Sequence, residues 1–451
     1  MAEEQHLSAL ERLIRYGSDD DVRRFYALLR PPELADLLER LNGEDRKRAF
    51  ELMTAPLASD VLRVVEDPEL EEILEDMPAE RVAEIAHESM TDDAADMIGA
   101  LDEEKRAETL EHLDGEDRRE IEELLEYGED TAGGLMQTEL VHVREDCTVR
   151  EAMEQVRAEN EDEVGDIHIV YVVGADDRLL GTVSPADLIT ADPDVPLSSV
   201  QDRDPIVVPP TMDQEDLAEL VREHDLAAVA VVDENRRLLG QVLIDDVVDV
   251  MEDEATEDIA RMAGTDFEAV FDDSVRAAVR LRAPWLIPAF IGGLLVTFFL
   301  GSVESSLKEA TILAVFLPVV LGMAGNIGTQ TSAITVRNLA LGRLDFKRVG
   351  RTILRQVFTG LAIGSMFGAA LLLFVLVTRG DDVAVKKYAM TLALAIWTAM
   401  TVGATMGVTV PLLLNKLGFD PAIATSPFVQ TANDVTGVGI LIVIANALDL
   451  I

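Results

Sequence analysis

The chain has 451 residues and a formal net charge of −47, from 85 Asp and Glu against 38 Lys and Arg. The charge is uneven, because the residues before Asp272 hold 24 basic and 75 acidic side chains, whereas those from Asp272 onward hold 14 and 10. A field this negative repels nucleic acid and anionic lipid and attracts cations. A surface adapted to high salt also explains the excess of acids, and it does not exclude a metal-sensing role.

Cysteine usage and the N-terminus indicate where the acidic part resides. Cys147 is the single cysteine, which excludes an intramolecular disulfide and a cysteine-based metal site. The start "MAEEQHLSALERLIRYG" is acidic and amphipathic, unlike the basic and then apolar start of a signal peptide. We therefore expect the acidic part to lie in the cytoplasm.

Residues 1 to 130 are predicted to form an all-α superhelical domain. The segments "LADLLERL", "LEEILEDM", "AADMIGAL" and "IEELLEYG" recur at unequal spacings, each with an apolar stripe at helical spacing. Short helices that cannot bury a stripe alone stack on their neighbours. The segment "EDTAGGLMQTE" that follows is predicted to join this domain to the first unit of the next one.

Residues 131 to 250 contain an internal repeat, with units at about 136–195 and 196–250. "IVYVVGADDRLLGTVSPADLI" and "VAVVDENRRLLGQVLIDDVV" share Leu-Leu-Gly and an acid six residues later, Asp187 and Asp246. Each unit is predicted to be a helix, a strand, a turn, a second strand and an acid-capped helix. This α/β pattern resembles a tandem pair of CBS domains.

The CBS resemblance implies a nucleotide site in the first unit. Such pairs often bind adenine nucleotides, and "GTVSPAD" is similar to the pattern in which a hydroxyl residue precedes a ribose-binding Asp by three positions. By this resemblance Ser184 and Asp187 hold ATP. The alternative is that Asp187 serves only as the N-cap of a helix. The second unit, "GQVLIDD", lacks the hydroxyl, so at most one such site is expected per chain.

The segment from 246 to 275 is predicted to be one long amphipathic helix, of which residues 251–275 form a connector between the CBS pair and the remaining chain. Its apolar residues recur at helical spacing, about one residue in three is acidic, and it contains no Pro. We expect it at the inner mouth of a membrane pore.

Residues 276–451 are predicted to be a transmembrane domain of five helical spans. Apolar stretches of the length needed to cross a bilayer fall near 284–303, 310–336, 352–378, 388–414 and 421–448. With the N-terminus inside, inner flanks hold ten basic residues and outer loops hold four. The positive-inside rule therefore favours a cytoplasmic N-terminus and an external C-terminus.

The second and fifth spans carry polar residues that a lipid-facing helix does not need. The second contains Asn326, Thr329 and Gln330, and the fifth contains Asp434. Ordinary helix packing is an equal explanation for the amides and hydroxyls. It explains Asp434 less well, since a charge at the bilayer centre costs about 2.5 to 3.5 kcal/mol and the fifth span offers no basic partner.

A hydrated divalent cation provides a partner for Asp434. Magnesium keeps several of its water ligands and binds one or two carboxylates together with other oxygens. One carboxylate per chain is few for a divalent ion, and a two-fold dimer brings two copies of Asp434 to one axis. The sequence thus predicts a homodimer with its fifth spans near that axis and with Asn326 as a neighbouring oxygen ligand.

Three membrane motifs carry a family resemblance, which together with the soluble region covers essentially the whole chain. "APWLIP", "MAGNIGTQTSAITVRNLALG" and "DPAIATSPFVQTANDVTG" are similar to the membrane signatures of the MgtE family of magnesium channels and transporters. The resemblance implies that Asp434 forms the magnesium site of the pore. The sequence departs from the family pattern at Ala324, Gln430, Ala432 and Asn433, which puts strict magnesium selectivity in question.

The resemblance also implies a magnesium-controlled gate. In the family the connecting, or plug, helix closes the pore when magnesium lies between it, the CBS pair and the N-terminal domain. Any one of the matching acids is an ordinary surface residue by itself, and the cluster is the stronger signal. The implied interface ligands are Asp92, Asp96, Asp213, Glu215, Asp225, Asp245, Asp249, Glu254, Glu257 and Asp258.

We expect a dimeric magnesium channel in the plasma membrane, the inner membrane of a prokaryote, gated by cytosolic magnesium. No nucleophile–base pair or phosphate loop indicates an enzyme. One alternative keeps the fold and transports cobalt, nickel or manganese, or works as an ion-coupled carrier. A membrane-tethered nucleotide sensor is a second alternative, disfavoured because an anchor needs neither five spans nor Asp434.

Overall fold

A computed structural model of the chain describes residues 2–65, 67–158, 167–263, 265, 275–302, 311–340, 349–380, 382–424 and 427–450. The chain divides into two compact units, Met1–Glu252 and Asp253–Ile451.

Residues 2–65 and 67–124 of the first unit fold into short helices that pack on one another. Ser18, Asn42 and Asp102 each accept a hydrogen bond from the backbone N–H three residues later, which starts the helix that follows. Isolated helices this short are unstable in water, so each depends on its buried stripe. Each of the four segments predicted from the sequence overlaps a helix, although "IEELLEYG" is helical only as far as Leu124. The helices are α1 (Ala2–Tyr16), α2 (Asp19–Tyr26), α3 (Pro31–Glu39), α4 (Gly43–Leu52), α5 (Ala55–Leu62), α6 (Asp67–Asp76), α7 (Ala79–His87), α8 (Thr91–Gly99), α9 (Glu103–His112) and α10 (Asp117–Leu124).

Two similar sheets follow, and they confirm the predicted repeat. In each sheet a short first strand pairs in parallel with the second strand, which pairs antiparallel with the third. The short first strands were not predicted, because two or three residues carry too little alternation to be detected. The elements are β1 (His142–Arg144), α11 (Val149–Ala158), β2 (Val170–Val173), β3 (Leu179–Val183), α12 (Pro185–Thr190), β4 (Val207–Val208), α13 (Gln214–His224), β5 (Ala228–Val232) and β6 (Leu238–Leu243).

The segment at 129–139 contacts the second repeat through its residues 132–137. It leads along the chain into the first repeat, as expected. However, the Ala132 N–H donates a hydrogen bond of 2.8 Å to the Met212 carbonyl, in the second repeat. Gln137 and Gln241 exchange two backbone hydrogen bonds of 2.9 and 3.0 Å. Met136 is buried in the hydrophobic core of the second repeat. The segment therefore completes the second repeat, which local sequence patterns do not reveal.

The predicted connecting helix is present as α14 (Ile244–Ala263). It begins two residues before the predicted start and ends at Ala263, with Thr265 in a bend. The remainder of the predicted stretch, residues 264 and 266–274, lies outside the described residues. The boundary between the two compact units falls within this helix.

Five helices in the described part of the second unit are long and apolar enough to cross a membrane. The fifth begins at Pro427 and not at 421, because Pro421–Ala424 forms a 3-10 turn. Pro427 lacks an N–H and suits the first position of the helix that it starts. The helices are α15 (Val275–Ser302), α16 (Thr311–Ala340), α17 (Val349–Arg379), α18 (Val383–Lys416) and α19 (Pro427–Ala447).

Glycines set how closely these helices approach. A Cβ at Gly360 of α17 would lie 2.8 Å from the Thr401 Cα, and one at Gly364 would lie 2.9 Å from the Trp397 carbonyl oxygen, both in α18. Helix pairs with small residues at the contact can bring their backbones together. α18 is thereby held tightly against α17 and forms the centre of the membrane core.

Candidate functional site

Asp434 lies in the first half of α19, partly buried. α19 packs against α15, α16 and α18, and the Asp434 Oδ1 accepts a hydrogen bond of 3.3 Å from the Gln430 side-chain amide, one helical turn earlier. The amide donor stabilises a carboxylate without neutralising it. The carboxylate can therefore still attract a cation.

Two glycines of α16 receive amide side chains from α19. A Cβ at Gly325 would lie 2.6 Å from the Gln430 Cδ, and one at Gly328 would lie 3.2 Å from the Asn433 Cγ. The two glycines are three residues apart, as are the two amides, so one face of α19 fits one face of α16. Gln430 and Asn433, which depart from the family pattern, are thus accommodated by the contact between these helices.

Asn433 and Ser332 are buried polar groups without hydrogen-bond partners in the described chain. Asn433 is 1% exposed, Ser332 is 0% exposed, and neither amide atom of Asn433 nor the Ser332 hydroxyl is bonded. A buried polar group left unpaired costs about 1 to 3 kcal/mol. These unpaired groups of α16 and α19 therefore lower the stability of the fold close to Asp434 in the chain.

Asn326, the predicted neighbour of Asp434, is exposed on α16. Among the described residues no hydrogen bond joins Asn326 to Asp434. The role of Asn326 as a magnesium ligand stays a prediction. In a dimer an exposed position on α16 can face the second copy. The polar side chains of α19 that approach the glycines of α16 are those of Gln430 and Asn433.

A second group of acids is buried in the first unit. Asp92 in α8 is only 8% exposed. Burial raises its pKa well above the usual range, and repulsion by Asp93 adds to the effect. Burial also raises the pKa of Asp93 to about 7, opposed by Arg63 and reinforced by Asp246. Burial and then Asp92 raise the pKa of Asp246, in α14, to about 7.

We call Asp92, Asp93 and Asp246 the buried acid cluster. Acids that repel one another when ionised favour either protons or a bound cation. Of its members the sequence predicted only Asp92 as a ligand. The shared repeat position marked Asp246, whereas Asp93 carried no signal beyond its place beside Asp92.

Glu139 lies next to this cluster. It accepts hydrogen bonds from the Thr91 N–H at 3.0 Å and the Thr91 hydroxyl at 2.8 Å. Burial raises the pKa of Glu139 despite these bonds. Glu139 was missed from the sequence, where it appears as one of many acids.

The other predicted ligands of the first unit occupy more exposed positions. Asp96 is exposed on α8, and Asp245 forms an ion pair of 3.7 Å with Arg63. Burial and then Asp245 raise the pKa of Asp249.

Three further predicted ligands lie on α13. Asp213 caps its start, Glu215 lies in its first turn, and Asp225 ends it with a φ of 51°. The two ends of an 11-residue helix are about 16 Å apart. One ion therefore cannot bind Asp213 and Asp225 of the same chain together.

Glu254, Glu257 and Asp258 lie partly buried in the second half of α14. Burial, followed by repulsion from Asp420 and Glu254, raises the pKa of Asp258 to about 6. Asp420 is a further acid of this group that was not predicted as a ligand. It opens the motif "DPAIATSPFVQTANDVTG", which was the available signal.

The candidate nucleotide residues form a local cap. The Ser184 hydroxyl accepts a hydrogen bond of 3.0 Å from the Asp187 N–H and donates one of 2.7 Å to the Asp187 Oδ2. Ser184 is thus the N-cap of α12 and Asp187 lies in its first turn, so the alternative that Asp187 is itself the N-cap is wrong. Asp187 is exposed, so a ribose hydroxyl can still reach its carboxylate.

Comparison with protein families accounts for most of the chain. Residues 29–130 match the MgtE intracellular N domain, residues 132–194 and 197–253 match the CBS domain, and residues 317–444 match a family described as a divalent cation transporter.

Two solved structures are similar to the soluble part. The soluble part of a magnesium transporter has a TM-score of 0.52 and 32% identity, covering 56% of this chain and 99% of that one. The cytosolic domain of the Mg²⁺ channel MgtE in complex with ATP has a TM-score of 0.51 and 34% identity, covering 54% and 99%.

Two relatives match over nearly their whole length. The magnesium transporter MgtE of Enterococcus faecalis is 35% identical over 446 residues, which are 98% of this chain and 97% of the relative. MgtE of Thermus thermophilus is 35% identical over 455 residues, 99% of each chain. With an N-terminal MgtE domain, a CBS pair and five apolar helices, the chain is a membrane protein that belongs to the MgtE family of magnesium transporters.

Proposed function

We propose that the protein is a magnesium channel whose pore is formed at Asp434 by two copies of the chain. The observation that carries this proposal is the partly buried Asp434 in a span without basic residues, with one carboxylate oxygen bonded to Gln430. An acid in this position needs a cation or water. Two such acids at a dimer axis suit a magnesium ion that keeps its water shell.

Cytosolic magnesium would close the pore by reducing repulsion between acids. At low magnesium the buried acid cluster and the acids of α14 repel one another and favour separation. At high magnesium, ions bound among them would favour the closed arrangement, in which α14 blocks the inner mouth. The raised pKa values of Asp93, Asp246 and Asp258 support this proposal, because each of these groups lies where a negative charge is unfavourable.

ATP is proposed as a regulatory ligand at Ser184 and Asp187. A similar cytosolic domain is described in complex with ATP. We also propose the plasma membrane as the location, with the N-terminus inside and the C-terminus outside. The domain limits 1–130, 131–250, 251–275 and 276–451 are part of the same proposal. The chain would act as a transporter and not as an enzyme.

The test is ion flux in proteoliposomes. We expect magnesium flux that stops when magnesium is added to the cytosolic face, and no flux in Asp434→Ala, because that change removes the acid of the pathway. Asp449→Asn is the matched control, since Asp449 is an exposed acid just beyond the same helix, and its φ of 51° suits Asn.

Parallel measurements with cobalt, nickel and manganese, and with imposed proton or sodium gradients, separate the channel from the alternatives. Normal magnesium flux through Asp434→Ala would end the pore assignment. Flux that follows a sodium or proton gradient would favour the coupled carrier.

A further inference from the structure

The second half of α14 ends with a cation that contacts two carboxylates. The Arg261 Nη1 lies 2.5 Å from the Asp420 Oδ2, and the Nη2 forms an ion pair with Glu257, one turn earlier in the same helix. The Arg261 and Asp420 side chains are 31% and 27% exposed, so the pair is partly shielded from water. A planar guanidinium with separate N–H groups can bind two carboxylates at once.

Asp420 also fixes the backbone that leads into α19. Its Oδ1 accepts a hydrogen bond of 2.7 Å from the Ala422 N–H. Ala422 is fully buried in the 3-10 turn Pro421–Ala424, which packs against α16, α18 and α19. One carboxylate thus bonds α14 through one oxygen and the entry to the pore helix through the other.

Arg261 offsets the repulsion among the carboxylates that surround this contact. Asp258 is repelled by Asp420 and Glu254 and attracted by Arg337 and Arg261. Without a cation, the acids of α14 would repel Asp420 and move the helix from the turn. Magnesium can supply that cation, but only when its concentration is high. A guanidinium is part of the chain and stays protonated at physiological pH.

We propose that the Arg261–Asp420 ion pair is a magnesium-independent latch that holds α14 on the turn before the pore helix in the closed state. This inference rests on the proposed function, because it assigns a closed state to the contact. The latch supplies part of the free energy of closing without magnesium. It therefore sets the magnesium concentration at which the pore shuts and leaves the open pore unchanged.

The test measures, in proteoliposomes, the cytosolic magnesium concentration at which flux falls to half its maximum, for the parent, Arg261→Gln and Asp420→Asn. We call this the half-closing concentration. Asn at 420 keeps an oxygen for the Ala422 N–H and loses only the charge, so the turn is preserved. We expect each variant to need more magnesium to close, by up to about fivefold, with unchanged flux at low magnesium. The double variant should shift no further than either single variant, because both remove the same pair.

Two controls accompany these variants. Arg261→Lys keeps the charge without the fork and should shift the half-closing concentration less than Arg261→Gln. Arg118→Gln removes an arginine from an exposed pair with Glu122 in α10 and should shift nothing.

The outcomes distinguish the latch from the channel itself. A parent protein without magnesium-controlled flux would overturn the proposed function and the latch with it. A gated parent whose two variants close at the parental concentration would overturn the latch alone. A lower half-closing concentration in Arg261→Gln would also overturn it, because Arg261 would then compete with magnesium for Asp420.

Discussion

The acids of the first unit and the polar groups of the second unit, here called the membrane unit, have opposite electrostatic surroundings. The first unit buries Asp92, Asp93 and Asp246 together, so that each raises the cost of ionising its neighbours. In the membrane unit the carboxylate of Asp434 has a neutral amide beside it. Crowded acids respond to cation concentration, which suits a sensor. A single acid with neutral neighbours attracts an ion without holding it too strongly, which suits a pathway.

The largest expected effect comes from removing acids from the sensor as a group. Changing Asp92, Asp96, Glu254, Glu257 and Asp258 together to their amides should leave flux intact and abolish its inhibition by cytosolic magnesium. Shifting a two-state equilibrium from 1:99 to 99:1 needs about 5.5 kcal/mol of differential binding, which several weak sites can supply together. Single replacements should therefore have small effects.

Flux at graded cytosolic magnesium, together with protease protection of α14 by magnesium, measures this prediction. A variant that still closes at the parental magnesium concentration would show that these acids are only a solvated surface.

The next effect concerns pH and the buried acid cluster. Since the pKa of Asp246 is about 7 in the folded protein and near 4 when unfolded, the folded state binds more protons between these values. Without magnesium, the free energy of unfolding of the first unit should fall as pH rises from 4 to 7. Asp246→Asn should raise it by about 1 to 3 kcal/mol at pH 8 and flatten this dependence.

Thermal unfolding of the full chain in detergent at pH 5 and pH 8 measures the change. Asp216→Asn, an exposed acid on α13, is the control and should behave like the parent. If Asp246→Asn is less stable than the parent at pH 8, the buried carboxylate has a favourable partner and the crowding argument is wrong.

A smaller effect, on ATP binding, is expected at Asp187. Its carboxylate already accepts a hydrogen bond from the nearby Ser184 hydroxyl. If the Asp187 carboxylate binds the ribose, Asp187→Ala should weaken ATP binding about tenfold, which corresponds to about 1.4 kcal/mol of binding free energy. Titration calorimetry with ATP measures this, and Thr190→Ala on the same helix is the control. Absence of ATP heat in the parent would leave Asp187 with its capping role alone.

The smallest effect concerns the unpaired amide in the membrane unit. Replacing Asn433 by Leu, which has the same branched shape and a larger volume, should raise the free energy of unfolding by up to about 1 kcal/mol, because it removes a buried group that has no partner in the described chain. Thermal unfolding in detergent checks this, with Asn446→Leu, exposed on the same helix, as control. A lower stability would mean that Asn433 has a partner in the assembled protein, such as a second copy.

Much of the architecture was predictable because it repeats locally. Four N-terminal segments have apolar residues at helical spacing, two units share a strand-turn-strand-helix pattern, and five stretches are continuously apolar; the structure has helices or strands at each of them. Errors occurred where a short segment depends on distant partners. β1 and β4 are too short to show a pattern, and 129–139 completes a core that lies more than 70 residues further along the chain.

The candidate site divides in the same way. The sequence alone determined that Asp434 lies in an apolar span, since hydropathy is a local property, and that α14 carries many acids. Only the tertiary structure decided that Asp93, Asp246 and Glu139 join Asp92, and that Arg261 reaches Asp420 across 159 positions of sequence. The physical reason is that burial and Coulomb energy depend on distances in space, and those distances are set by how helices pack.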